Sequence, residues 1–329
     1  MKLILIALAA SIVILSLTGC NLSPSNQPTP YPTLAAQSSP TPLVAFPATV
    51  DPNSLIPTAT LSNSQAFLGY APTATVSGIV AGAPSGPYAV IQVVTGDALN
   101  IRSAPGTNYP VIGTFPPATN NVMRTGPSAS VAGFLWVEVQ NPNGGNGWVN
   151  SAYLTEYVPP ASFCADTRAS ALIKSFGDAL KTSNGRTLAA LVSPANGWSV
   201  QLWRGGNVIV FDRAHAQWVF VSTYEHDWGA APQSGQNTVG ALHVAVLPKL
   251  LDVFNAPAPG YALICDAIQA GGASYNTAWP DTYANINYYS VYKPGPAGNE
   301  LSWRTLLIGV EYAQGQPYIF STSQLQWEP

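Results

Sequence analysis

The sequence predicts a multidomain chain in which a small all-β barrel precedes an α+β domain, both after a disordered segment rich in Pro, Thr and Ser. The chain has 329 residues, and at ~150 residues per domain this length suggests two folded domains. Residues 88–157 form short runs of alternating apolar and polar residues between turn residues, which is typical of strands. Residues 160–329 combine helical spacing with a closing run of apolar strands, which indicates an α+β domain.

Charged residues are scarce: they make up 8% of the chain, and the net charge is −3. An average soluble domain contains roughly 25% charged residues. With so little positive charge there is no basic field to hold nucleic acid, so we expect no nucleic-acid partner. Trp and Tyr present an apolar body and a polar tip, and their abundance suits a protein that works outside the cell.

The first twenty residues read as a targeting segment rather than as part of the fold. An apolar run over residues 3–17 follows Lys2 and is shorter than a membrane span of ~20 residues. It ends in Leu17-Thr18-Gly19-Cys20, which resembles the bacterial lipobox. The resemblance implies that residues 1–20 contain a lipoprotein signal peptide, cut before Cys20. It further implies that Cys20 carries the lipid that anchors the chain to the outside of the cell membrane or to the cell surface.

Residues 21–87 are dominated by Pro, Thr, Ser and Ala, and Asp51 is their only charged residue. Such a composition cannot bury enough apolar surface to offset chain entropy, which predicts a disordered linker.

With Cys20 assigned to the lipid, Cys164 and Cys265 remain as one even pair in an oxidising compartment, which predicts a disulfide. Two buried free thiols are the alternative.

The all-β segment 88–157 contains a series of motifs that resembles the bacterial SH3-like (SH3b) family. The motifs occur in the family's order: Leu99-Asn100-Ile101-Arg102-Ser103, Gly106-Thr107-Asn108-Tyr109, Val111-Ile112-Gly113, Trp136-Val137-Glu138-Val139 and Gly147-Trp148-Val149-Asn150-Ser151-Ala152-Tyr153-Leu154. The resemblance implies a small SH3-like barrel. A longer insertion around residues 124–133 departs from the family pattern and adjoins the position of Trp136.

The same resemblance implies that the module binds cell-envelope ligands, either a peptide or a glycan such as peptidoglycan. The residues expected to bind the ligand are Asn100, Arg102, Tyr109, Trp136 and Tyr153, with the three aromatic side chains stacking on sugar or peptide faces. Core packing is the alternative role for Trp136.

Residues 160–329 begin with a predicted helix, capped by Asp166 or Thr167 and apolar along one face. The remaining predicted elements are a helix at 187–192, a hairpin at 198–203 and 208–211, a strand at 219–224, a helix at 239–254 kinked at Pro248, and strands at 261–268, 286–292, 303–312 and 317–327. This order resembles the NTF2-like fold, in which helices pack on a curved antiparallel sheet.

Catalytic chemistry has weak candidates in the second domain, namely Asp212, His215, Glu225 and Asp227. Adjacent residues of a strand point to opposite faces, so Glu225, His226 and Asp227 cannot all face one ion unless the strand ends there, and we expect no metal or cofactor. The preferred hypothesis is therefore a lipid-anchored, non-catalytic binding protein. The alternative is an envelope enzyme with a small hydrolase- or isomerase-type site in this domain.

Overall fold

The computed structural model describes residues 77–80, 86–257, 260–272 and 275–328. Cys20 and the predicted signal peptide lie outside the described residues, as does most of the predicted linker. The described chain forms a β module followed by a second domain that is rich in strands and has six helices. Within the described ranges, no helix has the length and apolar character needed to span a membrane.

Eight strands form the sheet of the β module, in the order β4-β3-β7-β6-β5-β2-β8 with β1 against β5. Their bounds are β1 Ser77–Val80, β2 Pro87–Val90, β3 Leu99–Arg102, β4 Val111–Phe115, β5 Val122–Val131, β6 Phe134–Gln140, β7 Asn146–Asn150 and β8 Leu154–Glu156. β1 and the first residue of β2 fall inside the predicted linker, so at these residues the chain is strand instead. β5 is longer than β2. Its first residues, Val122 and Met123, pair with β2, and Ser128 and Ser130 nearer its end pair with β1.

The sheet of the β module wraps around an apolar core to which Leu99, Ile101, Val137 and Val149 contribute. Gly147 sits where β7 crosses this core, and a Cβ atom there would lie 2.4 Å from Cγ2 of Ile101. The glycine of the Gly-Trp-Val motif is therefore required by close packing of the strands.

The second domain contains all six helices and eight further strands. The helices are α1 Pro160–Ala165, α2 Thr167–Lys181, α3 Gly185–Leu191, α4 Arg213–Ala216, α5 Leu242–Ala245 and α6 Leu247–Phe254. The strands are β9 Trp198–Gln201, β10 Val208–Phe211, β11 His226–Ala230, β12 Asn237–Gly240, β13 Ala262–Cys265, β14 Asn287–Lys293, β15 Arg304–Ala313 and β16 Gln316–Gln326.

Six of these strands form a curled sheet in the order β10-β9-β16-β15-β14-β13, and β11 and β12 form a separate ribbon. The pairing is antiparallel except between β9 and β16, which run parallel. Helices α2 and α6 pack on one face of the sheet, where the rings of Phe176 and Trp198 lie 5.5 Å apart. Large side chains such as Phe163, Phe176 and Trp198 are fully buried in this interior.

Several predicted elements of the second domain can be compared directly with the structure. Asp166 caps α2 as predicted, since its carboxylate accepts a hydrogen bond from the backbone N–H of Arg168 at 2.9 Å. The predicted strand at 219–224 is wrong: local hydrogen bonds from Val221 and Ser222 to the carbonyl of Trp218 form a turn there. Pro248 lies in the first turn of α6 and so marks a helix start rather than a kink.

The Cys164–Cys265 disulfide is formed, with the two Cα atoms 5.7 Å apart. It links α1 to the end of edge strand β13, which confirms the predicted bridge. The bond ties the first helix of the domain to the far edge of its sheet.

The opposite face of the large sheet contacts the β module. Ile91, which follows β2, is buried against Ile286 and Phe320 of the second domain. Asn285 adds a polar contact, because its side chain donates to the carbonyl of Val90 at 2.9 Å. The β module and the second domain therefore share an interface with both apolar and hydrogen-bonded contacts.

Candidate functional site

The outer face of β3 carries the first two predicted ligand residues. Leu99 and Ile101 point into the core of the β module, whereas Asn100 and Arg102 alternate to the outside. This alternation follows from the two-residue repeat of a strand. Nη1 of Arg102 donates to the carbonyl oxygen of Tyr109 at 2.7 Å, which holds the guanidinium against the β3–β4 loop.

Trp136 lies on the outer face of β6, while its neighbours Val137 and Val139 join the core. It is only 4% exposed and packs with Ala129, Val131 and Trp148 in a cluster separate from that core. Trp136 therefore packs against its neighbours, and its remaining surface faces the groove described next. Its role in ligand binding stays a prediction.

A groove of about 500 Å³ runs along this outer face. Four of the five predicted ligand residues line it, namely Asn100, Arg102, Trp136 and Tyr153. The other lining residues are Gln92, Val93, Val94, Asp97, Ala98, Leu99, Thr107, Phe134 and Asn150. Tyr109 is not among them; its side chain is exposed, and its backbone carbonyl holds Arg102.

Tyr153 is placed by a short 3₁₀ turn over Ser151–Tyr153. The side chain of Asn150 caps this turn by accepting a hydrogen bond from the backbone N–H of Ala152 at 3.0 Å. The ring of Tyr153 is 38% exposed at the groove. An aromatic side chain on a fixed backbone turn can stack on an apolar ligand face at little entropic cost.

Sequence reasoning missed Phe134, which is 57% exposed and lines the groove. The insertion around residues 124–133 is the sequence feature from which Phe134 could have been predicted as a groove residue. This insertion builds the hairpin of β5 and β6, and Phe134 opens β6 directly after the turn at Ala132 and Gly133. The groove thus combines exposed aromatic rings with amide side chains and one group of each charge, Asp97 and Arg102, which suits a polar ligand with apolar faces.

The weak catalytic candidates occupy the surface of the second domain. Asp212 caps α4, and its Oδ1 lies 2.8 Å from the backbone nitrogen and 2.7 Å from Nδ1 of His215. The N–H of His215 is the main reason that the pKa of Asp212 is lowered. Asp227 instead binds Gly229 and Asn237 in the β11–β12 ribbon, and Glu225 is exposed. Among the described residues, no three His, Cys, Asp or Glu side chains are grouped to hold a metal ion.

A buried carboxyl group that sequence reasoning missed lies at the interface of the two domains. Glu311 on β15 is 2% exposed and accepts hydrogen bonds from Oγ of Ser193 at 2.5 Å and Nδ2 of Asn196 at 2.7 Å. Burial raises its pKa to about 7. It lines a cavity of about 280 Å³ together with Arg124 and Glu156 of the β module.

The fold defines a small all-β module that carries a groove on its outer face. Comparison with known families then identifies it: residues 97–155 match the family described as Bacterial SH3 domain. This part of the chain is a bacterial SH3 domain, a module that commonly binds cell-wall ligands. Searches of curated proteins and of solved structures gave no match to the chain.

Proposed function

We propose that this protein is a membrane-anchored, extracytoplasmic lipoprotein whose SH3 module binds peptidoglycan or another glycan or peptide of the cell envelope without catalysis. The observation that carries the proposal is the convergence of Asn100, Arg102, Trp136 and Tyr153 on one groove. These residues were selected from sequence motifs alone, and the match to the bacterial SH3 family covers all four.

The chemistry of the groove supports a cell-wall ligand. Sugars and short peptides present flat apolar faces beside hydroxyl and amide groups. The rings of Tyr153 and Phe134 can cover such faces, and the amide of Asn100 can donate to and accept from the polar groups. Because a capped turn fixes the backbone at Tyr153, binding has only its side chain to order.

The anchoring part of the proposal rests on the lipobox-like residues Leu17 to Cys20. A lipid on Cys20 would hold the chain at the membrane, and the Pro-rich residues that follow would tether the folded domains. The SH3 module would thereby be placed within reach of cell-wall material while the protein stays membrane-bound.

For the second domain we propose the NTF2-like fold, supported by helices packed on one face of a curled sheet. Large side chains fill the space between helix and sheet, and the rings of Phe163 and Tyr289 lie 5.0 Å apart there. A packed interior favours a role in supporting or contacting a partner over one in enclosing a small molecule.

The test is co-sedimentation of the full chain, purified in mild detergent, with purified peptidoglycan sacculi. We expect Tyr153→Ala to weaken binding about tenfold, because it removes an aromatic contact from the groove. Tyr109→Ala is the matched control: its ring is 39% exposed, against 38% for Tyr153, but lies outside the groove. Equal loss of binding in both variants, or no binding by the wild type, would contradict the proposal.

A further inference from the structure

One wall of the ligand groove is attached to the second domain. We call residues 90–94 the groove wall, since Gln92, Val93 and Val94 line the groove. Ile91, the second residue of the groove wall, is 1% exposed and packs against Ile286 and Phe320, both from the second domain. The groove wall is therefore fixed at its start by contacts outside the SH3 module.

Gln92 is the position at which this attachment is tightest. Its φ of 61° lies in the left-handed region, which residues other than glycine adopt rarely. Its backbone N–H donates to the carbonyl of Thr282 at 2.7 Å, and its Nε2 lies 3.3 Å from Oδ1 of Asn196. Both partners belong to the second domain, so contacts from that domain hold an unfavourable backbone conformation in the groove wall.

A second side chain of the same domain holds the other end of the attachment. Nδ2 of Asn285 donates to the carbonyls of Val90 at 2.9 Å and Thr119 at 3.3 Å. Ile91, the next residue, donates its N–H to the carbonyl of Tyr153 at 3.0 Å. The groove wall thus connects the second domain to Tyr153, an aromatic residue that lines the groove.

We propose that the second domain positions the wall of the ligand groove, and that Asn196 and Asn285 are positioning residues on which the affinity of the groove depends. This inference rests on the proposed function of the groove. Neither asparagine lines the groove, so neither is expected to touch the ligand. The function of the second domain would then be partly to complete the binding site of the first.

The experiment measures the affinity of the full chain for purified sacculi, with Asn196→Ala and Asn285→Ala as test variants. We expect each to weaken binding about threefold to tenfold, the ratio that corresponds to one net hydrogen bond. Asn207→Ala is the matched control, because it also removes a side-chain hydrogen bond to a backbone carbonyl of the second domain, that of Asp227. It should leave the affinity unchanged.

Hydrogen exchange of the groove wall and thermal unfolding separate positioning from loss of the fold. The amide of Gln92 should be protected in the wild type and exchange faster in the two test variants. The unfolding midpoint of Asn285→Ala should stay close to that of the control, whereas Asn196→Ala also removes a hydrogen bond to the buried Glu311 and should unfold at a lower temperature. If a test variant unfolds, Asn285→Ser replaces it: serine keeps a polar group but is too short to reach the carbonyls of Val90 and Thr119, and affinity should fall likewise.

The outcomes separate this inference from the function on which it rests. Wild-type binding with unchanged affinity in the test variants would overturn the positioning role and leave the proposed function intact. An unprotected Gln92 amide in the wild type would also overturn the positioning role. Absence of wild-type binding would overturn both.

Discussion

Replacing Glu311 by Gln should remove a pH dependence of stability that the wild type carries at near-neutral pH. Burial raises the pKa of this carboxyl from 4.5, its ordinary value and the one expected in the unfolded chain, to about 7. The folded state therefore holds a proton that the unfolded state releases between these two values. The stabilisation is complete below about pH 4.5 and is lost as pH rises through about 7.

The size of this effect follows from the difference between the two pKa values. Each unit of difference corresponds to about 1.4 kcal/mol, so the loss on going from about pH 4.5 to about pH 8 is on the order of 3 kcal/mol. Groups whose pKa is lowered in the folded state have slopes of the opposite sign. Burial lowers the pKa of His226, so its contribution to stability grows as pH rises towards its ordinary pKa. Hydrogen bonds from Arg168 lower the pKa of Asp166 from 3.8 to about 2, so its contribution grows only at pH values below the range of the assay.

The assay is urea unfolding of the full chain at several pH values between about 5 and 8, with wild type and Glu311→Gln compared at each. The difference between the two proteins isolates Glu311, since His226 and Asp166 are common to both. The amide oxygen of the introduced side chain can still accept from Asn196, so the packing is kept. Glu225→Gln, at an exposed carboxyl, should follow the wild type throughout. Parallel stability curves for wild type and Glu311→Gln would refute the reasoning.

Two further predictions concern the cysteines. The disulfide spans 101 residues of sequence, and loop-closure entropy assigns such a crosslink roughly 4–5 kcal/mol; reduction should therefore lower the melting temperature by several degrees. The Cys164→Ser/Cys265→Ser variant should melt near the reduced wild type and be insensitive to reductant, and an unchanged melting temperature on reduction would count against the argument. Cys20→Ser should abolish labelling by an acyl-chain probe in cells; label retained on that variant would show that the lipid is attached elsewhere.

The floor of the groove could be predicted because it depends on local periodicity. Strand β3 must alternate its side chains, so once Leu99 and Ile101 were recognised as core residues, Asn100 and Arg102 had to face outward. Tyr109 and Tyr153 could not be separated in the same way. Both are exposed, but only Tyr153 lines the groove. The position of the groove depends on how loops that are distant in sequence pack together.

Glu311 and Gln92 depend on partners that are far away in sequence. Ser193 lies 118 positions from Glu311, and Asn196 lies 104 positions from Gln92, so no local pattern could pair them. A weak signal did exist for Glu311: it is the only charged residue between Arg304 and the end of an apolar strand. A carboxyl group in such a strand must either face solvent or accept hydrogen bonds in the interior. Glu311 accepts two, from Ser193 and Asn196.

The contacts between the domains bear on whether each is stable alone. Ile91 lies at the start of the SH3 module, yet it packs in a cluster with Ile286 and Phe320 of the second domain. Separating the domains would remove these contacts, and fully burying one such side chain contributes about 1.5–3 kcal/mol. That amount is a substantial fraction of the net stability of a small domain, ~5–15 kcal/mol. The boundary predicted between residues 157 and 160 is thus a boundary between two sheets, and we expect the two domains to stabilise each other across it.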